Sequence, residues 1–142
     1  MKAKTILITG STDGIGLETA KNLTAKGHKV ILHGRKDKRL NEAKFYIYKN
    51  TKLDVIDTVQ ADFAKIDEVK QMAAYMNNTY PALDVLINNA GVFRKFIEYT
   101  DDGLEKTFGI NHIAHFLLTK ELLPLLKQSD QGRIVVVSSM IH

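Results

Sequence analysis

The sequence predicts an α/β fold, a doubly wound parallel sheet with helices on both faces. Two observations carry this. Short apolar segments alternate with amphipathic ones along all 142 residues, and strands separated by helices close into a sheet as parallel neighbours joined by crossovers. The segment Thr9-Gly10-Ser11-Thr12-Asp13-Gly14-Ile15-Gly16 then joins the first such strand to the first such helix. Its three glycines allow a tight bend and a close approach to the backbone.

The elements follow in order. Residues 5–9 form a first strand and 15–26 a helix, stopped by Gly27 in a C-cap position. Residues 29–33 make a second strand, and 37–49 a second helix with Leu40, Ala43 and Ile47 on one face. Residues 56–61 are a third strand, weakened by Asp57, and 67–76 a third helix with Pro81 just beyond. A fourth strand spans 83–87, a long fourth helix 102–123, and a fifth strand 133–137. The near-continuous apolar run Ile134-Val135-Val136-Val137 predicts burial on both faces. No repeat, low-complexity tract or linker interrupts the pattern, so residues 1–142 read as one domain.

Composition narrows the function. Hydrophobic content of 44% and charged content of 25% are ordinary for a soluble globular protein. The absence of cysteine excludes a disulfide framework and a thiolate metal site, and it fits a reducing, cytoplasmic setting. No apolar run approaches a bilayer span, and the N-terminus runs straight into a strand, leaving no room for a signal peptide. The net charge of +4 is spread among interleaved acids and bases, too mild to point to nucleic acid or membrane.

In a doubly wound sheet the ligand lies at the carboxyl ends of the strands. The glycine turn falls on that edge, and so do Arg35, Asp62, Asn88 and Ser139, each at or just past the end of a different strand. The helix after the glycine turn offers N–H groups and a positive dipole end to a phosphate. Arg35, in Gly34-Arg35-Lys36-Asp37-Lys38-Arg39, occupies the place where an acidic residue bonds the 2′-hydroxyl of NAD and a basic one suits the 2′-phosphate of NADP. It favours NADP over NAD. Asp62, just past the third strand, reads from the residues alone as a helix N-cap. His112 and His115 stand three apart in the long helix, but no third ligand has suitable spacing. They read as surface or packing residues, and no metal is expected.

The T-G-x-x-x-G-x-G spacing, together with Asn88-Asn89-Ala90-Gly91, Asn111 in the long helix and Val136-Val137-Ser138-Ser139, resembles the short-chain dehydrogenase/reductase family over the whole chain. The resemblance implies a Rossmann-type cofactor domain, and an oxidoreductase that interconverts an alcohol and a carbonyl by hydride transfer. It places cofactor contacts at Gly10, Ser11, Thr12, Asp13, Gly14, Ile15, Gly16, Arg35, Asp62, Phe63, Asn89, Ala90 and Gly91. It assigns the adenine contact to Asp62, the substrate oxygen to Ser139 and a relay water at a helix kink to Asn111. Asp13 weighs slightly against NADP, because many NADP-using relatives carry a basic or neutral residue there. Residues 111–119, with 136–139, are similar to the retinol-dehydrogenase-like branch. The partners implied are a small-molecule alcohol or carbonyl and further copies of the chain, through the long helix.

One part of the family pattern is missing. A Tyr-x-x-x-Lys acid/base pair follows the serine in relatives, whereas three residues follow Ser139 here. Tyr48 and Lys52 have the spacing, but they precede the serine and lie at the wrong end of the sheet. The sequence is therefore expected to be the cofactor-binding part of such an enzyme, stopping after the fifth strand and inactive alone. The alternative is a non-catalytic dinucleotide-binding module, a redox sensor or scaffold. A Tyr-x-x-x-Lys further along the gene would separate the two.

Overall fold

The computed structural model describes residues 2–139. Strand β1 (Thr5–Ile8) leads to helix α1 (Gly14–Ala25), then β2 (Lys29–Gly34), α2 (Asp37–Thr51), β3 (Asp57–Gln60), α3 (Ile66–Thr79) and β4 (Val85–Asn88). A helical stretch follows in three parts: α4 (Lys106–Phe108), a π-helical turn over Gly109–Ile113, and α5 (Ala114–Lys127). Strand β5 (Arg133–Val136) completes a five-stranded sheet of order β3-β2-β1-β4-β5. Every pairing is parallel. The order reverses between β1 and β4, and ligands of open α/β sheets bind at that switch point.

The strands alternate sides as a pleated backbone requires. Ile6, Ile8, Val30, Leu32, Val85 and Ile87 pack with Ala20 of α1 and with Leu40, Ala43 and Ile47 of α2. On the other face Leu7, Ile31 and Leu86 meet Val69, Met72, Ala73 and Met76 of α3 and Leu118, Leu122, Leu125 and Leu126 of α5. Each fully buried leucine or isoleucine contributes about 2 kcal/mol, so the two apolar layers fix the sheet register. No helix among the described residues is long and apolar enough to cross a membrane.

Two expectations are corrected. The long fourth helix begins at Lys106 rather than 102, because Glu105 turns its carboxylate onto the N–H groups of Thr107 (2.7 Å) and Phe108 (3.1 Å) and caps it there. It also runs past Pro124 to Lys127. Proline removes one helical hydrogen bond, and burial of Leu125 and Leu126 in the core offsets that loss. The apolar run in β5 is not buried on both faces: Ile134, Val135, Val136 and Val137 are 44%, 43%, 67% and 41% exposed. Among the described residues β5 pairs with β4 alone.

Lys52, the C-cap of α2, is the described non-glycine residue with a positive φ, at 62°. Glycine takes this conformation without steric cost. Lys52→Gly is expected to raise stability by about 0.5–1 kcal/mol, read as a shifted urea midpoint at unchanged slope.

Candidate functional site

The switch point is stitched by Thr9 and Asn89. Thr9 is fully buried past the end of β1, and its Oγ1 accepts the N–H groups of Asn89 and Ala90, each at 2.9 Å. The Asn89 Nδ2 in turn donates to the carbonyls of Thr9 and Gly10, both at 3.1 Å. A Cβ on Gly10 would stand 2.6 Å from Ala90 Cα, and one on Gly16 would stand 2.3 Å from the Gly10 carbonyl oxygen. Two of the three glycines therefore admit neighbouring backbone rather than a ligand. Gly14 has open space around its Cβ position and needs glycine for its φ of +57°. Asp13 stands at the N-cap of α1, but its side chain makes no capping bond. The carboxylate lies 3.1 Å from Arg39 instead, which leaves the first N–H groups of α1 open to an anion.

A cleft of about 400 Å³ opens over this turn. It brings together Gly10, Thr12, Asp13, Gly14, Ile15, Arg35, Asp62, Phe63, Asn89, Ala90 and Gly91 from the ends of four strands. Ser11 and Gly16 do not line it. Ser11 is fully buried beneath the turn, its Oγ donating to Ile8 O at 2.8 Å and accepting His33 N–H at 2.9 Å. Asp62 does not cap α3, whose N-cap position falls to Lys65. Its Oδ1 accepts the Ala64 N–H at 2.9 Å and closes a tight turn at the rim of the cleft.

A second hollow of about 1150 Å³ adjoins the first. Ile15, Asn89, Ala90, Gly91 and Val92 line both, so the hollow beside Arg35 and the one beside Asn111, Ser138 and Ser139 share a wall. Asn111 sits in the π-helical turn, where its Oδ1 accepts Val92 N–H (2.8 Å) and its Nδ2 donates to Val92 O (2.9 Å). Its side chain is thus spent on holding the chain that leaves β4. Asn88 faces α5, donating to Thr119 Oγ1 at 3.0 Å.

Of two further residues at this site, His33 escapes the sequence reading and His115 reads there only as a surface or packing residue. His33, buried at the end of β2, accepts the Gly10 N–H on Nδ1 at 2.9 Å and holds the Ala61 carbonyl with Nε2 at 2.9 Å. It stacks on Phe63 at 4.3 Å, and Phe63 meets His115 edge-on at 5.2 Å. His115 lies 2.9 Å from Thr9 Oγ1 through Nε2, and 3.1 Å from Asn111 O through Nδ1. Burial pushes His33 down to about 4, and it also lowers His115. His112 lies on the exposed side, stacked on Phe108. Among the described residues no group of three or more His, Cys, Asp or Glu gathers to hold a metal ion. A single histidine inside an apolar strand gives sequence reasoning no spacing to read.

The family pattern described as short chain dehydrogenase matches residues 4–142. Human retinol dehydrogenase 14 is 39% identical over 155 residues, covering 100% of this chain and 46% of that protein. Human polyprenol dehydrogenase is 39% identical, covering 96% and 42%. Among solved structures, a short chain dehydrogenase of Escherichia coli CFT073 complexed with NADPH superposes with a TM-score of 0.84 at 32% identity, covering 98% of this chain and 60% of the other. One from Salmonella enterica gives 0.82 at 32% identity, covering 98% and 59%. The chain spans about half the length of the curated relatives it matches.

Proposed function

From a chain that belongs to the short-chain dehydrogenase family, we propose an NADP-dependent oxidoreductase that interconverts an alcohol and a carbonyl. The observation that carries this reading is a pair of adjoining cavities with five lining residues in common, one holding Arg35 and the glycine turn and the other Ser139. A dinucleotide fits it on structural grounds: the first N–H groups of α1 lack a side-chain cap and border the cleft beside Gly14.

Those N–H groups would take the pyrophosphate, with Gly14 leaving the approach open. Arg35 would pair with the 2′-phosphate and Asp62 would meet the adenine. Asn89 holds the turn in shape from beneath, and Asn111 fixes Val92 in the wall that the two cavities share. Ser139 would orient the substrate oxygen at the far end. When bound, the nicotinamide supplies or receives the hydride. No Tyr-x-x-x-Lys follows Ser139 within residues 1–142, so these residues alone would bind cofactor without turning it over.

The test is a fluorescence titration with NADPH and NADH. Arg35→Ala is expected to weaken NADPH by roughly ten- to a hundredfold, the range of a charge-assisted phosphate contact, and to leave NADH within about threefold. Equal losses for the two would overturn the NADP assignment. Failure of the parent chain to bind either one would overturn the dinucleotide reading itself.

A further inference from the structure

The two buried histidines are bound to groups whose donor or acceptor character is fixed. An amide N–H can only donate, so the His33 Nδ1 that faces Gly10 N–H is bare. A carbonyl can only accept, so His33 Nε2 carries its proton towards Ala61 O. His115 follows the same logic with the opposite outcome. Its Nδ1 faces the carbonyl of Asn111 and must carry the proton. Its Nε2 faces Thr9 Oγ1, which already accepts two N–H groups, from Asn89 and Ala90. A hydroxyl has two lone pairs and one proton. The Thr9 proton is therefore left to donate, and His115 Nε2 at 2.9 Å is nearer than Ile87 O at 3.4 Å.

We infer that His33 and His115 are positioning residues for the phosphate-binding turn, neutral rings of opposite tautomer that each use a bare nitrogen to hold one of its first two residues. His33 holds the Gly10 amide and His115 the Thr9 hydroxyl. Phe63 fills the space between the rings and keeps both planes in place. The same Thr9 hydroxyl receives the chain leaving β4, so the grip of His115 extends to Asn89 and Ala90 in the cleft wall. Protonating either ring would turn an acceptor into a second donor, set against the Gly10 N–H or the Thr9 hydroxyl. The charged and titratable neighbours that bear on this are few: Asp62 favours the charged form of His33, the two histidines oppose each other's charge at His33, and His112 opposes charge on His115.

The effect on cofactor affinity rests on the dinucleotide reading, whereas the tautomers do not. Asparagine places an acceptor oxygen where Nδ1 of histidine lies, and glutamine reaches the place of Nε2. His33→Asn is expected to keep NADPH affinity within about threefold, and His33→Gln to weaken it about tenfold by orphaning a buried amide. At His115 the order reverses: His115→Gln keeps affinity and His115→Asn loses about tenfold. A purely space-filling role would give no such reversal, and the same rank order at both positions would overturn the inference. Ring ¹⁵N spectra of the unaltered chain are the second measurement. They should place the proton on Nε2 of His33 and on Nδ1 of His115, and the opposite assignment at either ring would overturn the inference even if the variants do not fold. If the chain binds no NADPH, the cofactor reading falls, while the ring spectra and faster exchange of the Gly10 amide in His33→Gln still decide the positioning claim.

Discussion

Gly16→Ala should lower stability by about 3 kcal/mol, a fall in melting temperature of roughly 10 °C, and should abolish NADPH binding. The added Cβ would stand 2.3 Å from Gly10 O, 2.6 Å from Asn89 Nδ2 and 3.0 Å from Ser11 Cα. Two of those three atoms belong to backbone, so no flexible side-chain tip can move aside. The third is the amide that clamps the carbonyls of Thr9 and Gly10. Relief of the clash must therefore open the turn, and with it the proposed phosphate site. Gly14→Ala provides the control. Nothing lies within 4 Å of its Cβ position, and the positive φ alone costs about 1 kcal/mol. Thermal melts of the two variants check this, and a Gly16→Ala melt within the error of Gly14→Ala would refute the packing argument.

Acid should destabilise the fold well before its carboxylates titrate. His33 titrates near 4 in the folded chain, against an ordinary value of 6.5. As the pH falls below 6.5, the unfolded chain takes up a proton that the folded chain refuses. Stability is full above about 6.5 and is lost progressively down to about 4, by about 1.4 kcal/mol for each pH unit crossed and about 3 kcal/mol in all. Burial lowers His115 as well and acts in the same direction. Urea unfolding at pH 7, 6 and 5 isolates the histidines, because ordinary carboxylates remain charged over most of that range. In His33→Asn the dependence on pH should flatten, and an unchanged dependence would remove His33 as its source.

Some of this is legible in the sequence, and the rest is hidden for physical reasons. Alternating apolar segments predict a parallel sheet because periodicity reports burial directly, and Leu40, Ala43 and Ile47 are buried as their spacing implies. Thr9, Gly10, Gly14 and Asn89 stand out through motif spacing, which encodes turn geometry. The glycines' reasons are not legible, since Gly10 and Gly16 answer to Ala90 and to the turn's own backbone, which meet only in the finished fold. Ser11 shares the motif with the cleft residues, yet its hydroxyl is turned inward to Ile8 and His33. Ile134 to Val137 are partly exposed because β5 is paired on one side among the described residues, and a strand's own sequence does not encode its number of neighbours. The roles of His33 and His115 are invisible because the turn residues they hold, Gly10 and Thr9, lie in elements far from them in the chain.

The π-helical turn at Gly109–Ile113 carries one residue more than an α-helical path would need. Each residue of an α-helix turns the following side chains by about 100°. Across this turn Asn111 reaches Val92 while His115, four positions later, reaches Thr9 and the leucines of α5 stay in the core. Length here is therefore as constrained as composition. A conservative exchange inside the segment leaves the two appointments standing, but losing or gaining a single residue would rotate one out of register with the other. The helix behaves as a vernier between two otherwise separate mouldings, the wall of the cleft and the floor beneath the turn. Homologous chains that keep both should retain asparagine at the place of Asn111 and vary at the other four positions of the turn far more readily than in the number of residues.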